Sequence, residues 1–177
     1  MKNSFATKVI ASCAGITWAT ASFSHVVLQE RTTTALSTYK AVMLVGHGCD
    51  GSATNQIRVT IPPGFAGAKP MPKPGWNLSM KMGKLATSYD DGHGGQVTEG
   101  VSEVTWVAAS KDSTLPDTHY DEFVIRGRVS KDAGPMWFKI FQGCEKGSTD
   151  WSEVPASGTS TKELKTPAAL LEISPPK

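Results

Sequence analysis

The sequence predicts an all-β protein, an antiparallel β-sandwich of about seven to nine strands. Three observations lead there. Apolar residues recur at every second position nearly throughout, the period that lines one face of a strand. Each such run is short and bounded by Gly, Pro, Asp or Ser, the residues that close strands with turns. No ten-residue stretch carries the spacing of a convincing amphipathic helix.

The chain opens with a segment that reads as a secretory leader. Lys2 and Lys8 give it a positive start, and Val9 to Ala21 is apolar or small but too short to span a bilayer. Small residues are needed one and three positions before the cut. Ser22 and Ser24 allow a cut before His25, whereas Ala19 and Ala21 allow one before Ser22 and fit the small-residue rule better. Both sites stay open. A lipoprotein-type cut at Cys13 is set aside because the apolar run before it is short and interrupted by Lys8. The expected organisation is therefore a leader over 1–24, a sandwich over 25–155 and a partly flexible extension over 156–177.

The strands follow in order. Tyr39 to Val45 is apolar on both faces, as in a strand covered on two sides. Ile57, Val59 and Ile61 alternate with Arg58 and Thr60, and Pro62-Pro63-Gly64 then turns the chain. Lys69 to Trp76 is an extended, Pro-rich lead into Trp76, Leu78, Met80 and Met82, which alternate with Asn77, Ser79 and Lys81. Asp90 to Gly95 forms a hairpin tip with His93 among glycines, an exposed turn position. Val104 and Trp106 come next. Lys111 to Thr118 is a polar loop, and the acids of His119-Tyr120-Asp121-Glu122 read as solvated residues leading into a strand. Phe123, Ile125 and Val129, then Met136, Phe138 and Ile140, supply two more inward faces. Pro155 to Pro167 is Ser/Thr/Gly-rich, and Ala168 to Ile173 is a last strand or a single turn.

Composition removes several functions. The whole chain has 18 Lys and Arg against 16 Asp and Glu, and the leader takes Lys2 and Lys8 with no acid, which leaves 16 of each. A balanced mature domain offers no footprint for nucleic acid, and no later segment is apolar enough for a membrane helix. No nucleophile elbow, zinc-protease helix, phosphate-cradling loop or dinucleotide fingerprint is present. Cys13 leaves with the leader, so Cys49 and Cys144 remain as an even pair, and in an exported protein the pair reads as a disulfide.

The chemistry that remains is metal binding. If the cut falls before His25, that residue carries both a free amine and an imidazole, and its amine and Nδ1 can close one chelate. Nitrogen donors in a tetragonal set suit Cu(II), which also leads the divalent affinity order. His47 lies in Val45-Gly46-His47-Gly48-Cys49, where flanking glycines leave the ring uncrowded, and it is the candidate second imidazole. Trp151 and Trp137 are the candidate walls beside the ion. Met71, Met80 and Met82 offer thioethers suited to Cu(I), but the strand alternation around Met80 and Met82 assigns them to the core instead.

Taken together, His25-Val26-Val27, Lys73-Pro74-Gly75-Trp76, Val104-Thr105-Trp106, Asp121-Glu122-Phe123 and the segment from Trp137 through Gln142-Gly143-Cys144 to Trp151 resemble the YcnI-like family of bacterial extracytoplasmic copper-binding domains. The resemblance covers about residues 25–155, and its motifs are specific in their order rather than singly. It implies an immunoglobulin-like or cupredoxin-like sandwich with one mononuclear Cu(II) on a single-histidine brace, which His25 matches. Cys49 and Cys144 look like the form of the family that carries a disulfide. The family's site also uses an early carboxylate and a late tryptophan. Here His47 stands where the carboxylate is sought, Trp151 matches the tryptophan first and Trp137 second. The resemblance implies a non-enzymatic role in copper storage, buffering or delivery, in a periplasm or outside the cell, with other periplasmic or membrane copper-handling proteins as partners. The competing readings are a metal-free structural or adhesion module and a histidine-brace copper oxidase.

Overall fold

The computed structural model describes residues 25–90 and 94–176. Among them, strands supply all the regular structure except one 3-10 turn at Lys111–Ser113. The strands are β1 (Val27–Leu28), β2 (Thr32–Thr34), β3 (Thr38–Val45), β4 (Thr54–Thr60), β5 (Phe65–Pro70), β6 (Trp76–Asp90), β7 (Gln96–Ala108), β8 (Asp121–Val129), β9 (Gly134–Cys144), β10 (Ser148–Trp151) and β11 (Ala169–Ser174). Eleven strands replace the expected seven to nine. The surplus is β1, β2 and β10, which at two to four residues are too short to display alternation in a sequence.

The strands form two sheets. One has the order β1-β3-β8-β5, the other β2-β11-β9-β4-β7-β6, with β10 joined to the second half of β9 on the edge opposite β4. Pairing is antiparallel except between β11 and β2. The inward positions meet in one core: Ala41, Met43 and Val45 of β3, Ile57 and Val59 of β4, Val104 and Trp106 of β7, and Phe138 and Ile140 of β9 are all fully buried. Val42 on the other face of β3 is buried too, so the two-sided apolar run has a structural counterpart. Tyr39 reaches from β3 to donate its hydroxyl to the Glu30 carbonyl at 2.5 Å. Burial, with the Glu30 charge beside it, pushes this phenol up to about 12, so it remains a protonated donor across neutral pH.

Several motifs that carry the family resemblance hold the far side of the fold together. Lys73 donates to the Asp121 carboxylate at 2.6 Å and to the Glu122 carbonyl at 3.3 Å, and its ammonium lies 5.1 Å from the Phe123 ring. Trp76 and Trp106 meet the same Phe123 ring at 5.0 and 5.5 Å, edge to face. Asp121 is therefore ion-paired to the connection between β5 and β6 rather than a simply solvated acid. Gly127 is required for a similar reason, because a Cβ there would sit 2.5 Å from the Phe65 ring.

Two expectations are corrected. The sandwich does not end at residue 155. Ala169–Ser174 forms β11, which pairs with both β9 and β2 and buries Leu171 completely, so the Ser/Thr/Gly-rich stretch is a connection rather than a tail. Met80 and Met82 do not pack in the core either. They are 54% and 64% exposed, because β6 is the last strand of its sheet and no strand lies beyond it. The tip residues Asp91, Gly92 and His93 lie outside the described residues, but Asp90 pairs with Gln96 and so closes a β6–β7 hairpin as expected.

Candidate metal centre

The candidate site is built at the end of the sandwich where β3 and β9 finish. β3 runs out at Val45, and the chain turns back through His47-Gly48-Cys49 into a tight hairpin. Cys49 and Ser52 exchange backbone hydrogen bonds of 3.1 and 2.9 Å around Asp50-Gly51, whose φ angles are 48° and 80°. An Asp-Gly pair accepts such positive φ values with little cost. Gly48 has no alternative, since a Cβ would lie 1.8 Å from the Ser52 carbonyl oxygen.

Three ties hold this loop. The Cys49–Cys144 disulfide spans 95 positions and fastens it to the last residue of β9, as the even cysteine pair predicted. The Gly48 N–H donates to Asp117 Oδ1 at 2.9 Å. Gln142, fully buried, donates from Nε2 to the His47 carbonyl at 2.7 Å and to Thr54 Oγ1 at 2.8 Å. The His47 Nδ1 lies 2.5 Å from the Gly48 carbonyl, an acceptor that favours the proton on that nitrogen.

The same Gln142 positions the tryptophan. A short turn, with Cys144 N–H donating to the Gly147 carbonyl at 3.1 Å, leads into β10 and sets Trp151 opposite Ile140. There the indole Nε1–H donates to Gln142 Oε1 at 2.9 Å. One buried amide thus carries Trp151 on its oxygen, and the His47 loop and Thr54 on its nitrogen.

His25 arrives through register. β1 pairs Val27 with Leu44 and Leu28 with Met43. Two further steps in that register set His25 opposite Gly46, next to His47. Buried Val26 and Leu28 hold the strand in place. The outcome is that the His25 ring lies 5.5 Å from the Trp151 ring and the His47 ring 6.2 Å from it. Both imidazoles pack against one indole.

Three of the four candidate site residues are therefore brought together, and Trp137 is not among them. It lies at an odd position of β9, on the face opposite Phe138, Ile140 and Gln142, and pairs with Leu170. His119 is exposed, with Nδ1 3.3 Å from Thr118 Oγ1. Among the described residues, no three His, Cys, Asp or Glu side chains gather into a metal-binding group. Any ion held here depends on donors beyond such a cluster. The residues fit that demand in one way, through two imidazoles plus the amine that His25 gains if it leads the chain.

Sequence reasoning missed Gln142 and Asp117 as site-builders. The signal for Gln142 was present: Met136, Phe138 and Ile140 mark the inward face of β9, and a polar residue at the next inward position must find partners. Asp117 gave no signal, because its place depends on Leu115 and Thr54 exchanging backbone bonds of 2.8 and 2.9 Å across distant segments. Replacing Gln142 by Leu removes the acceptor for the buried indole N–H and the donor for the His47 carbonyl. The expected loss is about 1–3 kcal/mol of stability, the cost of stranding buried polar groups. Denaturant unfolding measures it.

Comparisons with known proteins agree on family and fold. The domain of unknown function DUF1775 matches residues 25–173. A solved structure from Nocardia farcinica, an uncharacterized protein described as revealing an immunoglobulin-like fold, superposes with a TM-score of 0.64 at 21% identity, over 85% of this chain and 98% of that one. No curated protein matches the chain.

Proposed function

Because the chain belongs to the DUF1775, or YcnI-like, family through a match spanning residues 25–173, we propose that it is an exported copper-binding protein. It holds one Cu(II) at a histidine brace formed by His25 as the first residue of the mature chain, and serves copper storage, buffering or delivery. The observation that carries this reading is the convergence of His25 and His47 on Trp151. The start of the family match at His25 supports the same processing point.

Each residue then has a task. The His25 amine and Nδ1 form the chelate, and His47 offers Nε2 while the Gly48 carbonyl holds its Nδ1 proton. An unperturbed terminal amine titrates near 7.7–8, so it must release a proton to bind. Trp151 walls the inner side and is kept in place by Gln142. The three nitrogens, the amine and two imidazoles, would suit a bound Cu(II), which favours such donors. The carboxylate close by, Asp117, is already bonded to Gly48 and acts on the loop.

A Cu(II) titration of two chains tests the reading, one beginning at His25 and one at Ser24. The chain from His25 is expected to bind one equivalent tightly. The longer chain is expected to bind at least about a hundredfold more weakly, more than the 10–100-fold that outer partners of a ligand cost. Equal affinities would overturn the brace.

A further inference from the structure

We propose that the end of the sandwich opposite the histidines binds a free fatty acid, a single alkyl tail with one carboxylate, in a recess roofed by the β6–β7 hairpin. The inference goes beyond copper and rests on neither His25 nor His47.

The recess follows from where the strands stop. β4 starts at Thr54, which accepts from the Gln142 amide, and ends at Thr60, six steps or about 20 Å away. Thr60 pairs with Glu103, and the Ile61 N–H donates to the Ser102 carbonyl at 3.0 Å. Pro62 and Pro63 then turn the chain toward β5. The rest of the β6–β7 hairpin has no β4 beside it and projects past the end of that strand. Lys84 pairs with Glu99 and Tyr89 with Val97, so Leu85 to Ser88 of β6 stand against Thr98 alone. Such an excess bends a strand. The bent arm reaches the other sheet, where a Cβ on Gly67 of β5 would lie 3.8 Å from the Tyr89 hydroxyl. The arm, the turn after β4 and the end of β8 enclose a recess of about 530 Å³. That falls within the roughly 300–1,000 Å³ of small-molecule sites.

The lining indicates what the recess takes. Phe65 and Val129 are buried, Ile61, Leu85 and Val101 are half-buried, and all five line it. Leu36 lines it too, 48% exposed and at a φ of 63°, with its N–H on the Ser130 carbonyl at 3.1 Å. A leucine held at positive φ is strained, and here it adds apolar surface to the recess rather than to the core.

The charged lining residues are Lys84, Arg128 and Lys131 against Asp90 and Asp132. Lys131 is taken by Asp132 at 3.0 Å, which leaves two cations to one carboxylate. Arg128 is oriented by its Nε, which donates to the Leu36 carbonyl at 3.1 Å. Among the described residues, neither Arg128 nor Lys84 has an ion-pair partner. The surplus is one positive charge, which one carboxylate balances, and an arginine fork suits that group. A bilayer cannot enter a recess walled on three sides, whereas one chain can.

Dodecanoate, kept below its micellar concentration, is titrated into wild-type protein with labelled Leu, Val and Ile methyls. The expected result is saturable binding that shifts the methyls of Leu36, Ile61, Leu85 and Val101. Those of Val26 and Val45, beside the histidines, are expected to stay in place. Affinity is expected to rise by up to about fourfold for each methylene added between octanoate and dodecanoate. Dodecanol, which lacks the charge, is expected to bind at least about tenfold more weakly. K84E and R128E are expected to weaken dodecanoate by about tenfold and leave Cu(II) binding unchanged. Phosphatidylglycerol vesicles are expected to sediment without the protein. The proposal is overturned if methyls at both ends shift alike, if affinity ignores chain length, or if both charge variants bind dodecanoate as wild type does. Sedimentation of the protein with the vesicles would also overturn it, by assigning the recess to a membrane lipid. Loss of Cu(II) binding in H25A bears on the brace alone.

Discussion

Replacing His25 by Ala is expected to abolish tight Cu(II) binding while the domain stays folded. The substitution removes the imidazole and with it the chelate, so the remaining amine and His47 cannot close the ring that lets a protein compete for a divalent ion. The structural cost is small. His25 lies ahead of β1, is only half-buried, and packs its ring against Trp151. Such a change costs about 0.5 kcal/mol or less when the position carries no core packing. Isothermal titration with Cu(II), beside a thermal melt of the metal-free variant, separates the two effects. Replacing His47 by Ala is the companion measurement, expected to move the Cu(II) absorption spectrum and weaken binding without abolishing it.

The second large effect is on stability. Replacing Cys49 and Cys144 together by Ala is expected to lower the unfolding free energy by about 4–5 kcal/mol, the loop-closure entropy for a crosslink of this span. The span is 95 positions, and both cysteines are buried. A domain of ordinary stability has about 5–15 kcal/mol in total, so the midpoint falls steeply. The local effect matters as well. The disulfide joins the loop two residues past His47 to the strand two residues past Gln142. Without it, the His47 carbonyl must rely on Gln142 and the Gly48 N–H on Asp117. Equilibrium unfolding in guanidinium gives the first number, and Cu(II) affinity of the same variant gives the second. A stability loss under about 1 kcal/mol would mean that the loop is held by other contacts.

Much of the fold was legible because burial leaves a period in sequence. β3, β4, β8 and β9 were each readable from apolar residues two apart, and the disulfide followed from the even cysteine pair. What was not legible was whatever depends on neighbours. Trp76, Leu78, Met80 and Met82 share one alternating pattern, yet Trp76 is buried and Met82 stands out in solvent, because the later part of this edge strand borders an open cleft rather than packed core. β11 hid behind a polar stretch that resembles a tail. At the site, His47 and Trp151 were visible as residue types in suitable surroundings. Trp137 looked equivalent to Trp151 until strand parity put it on the other face of β9. The link between the site residues, the Gln142 amide, needs three distant segments at once and has no local signature.

The most direct test of the central claim is the intact mass and N-terminal sequence of the protein recovered after export. A chain that begins at His25 is the predicted result. A chain that begins at Ser22, or at any residue other than His25, would contradict it, because the amine and the ring would then no longer belong to the same residue.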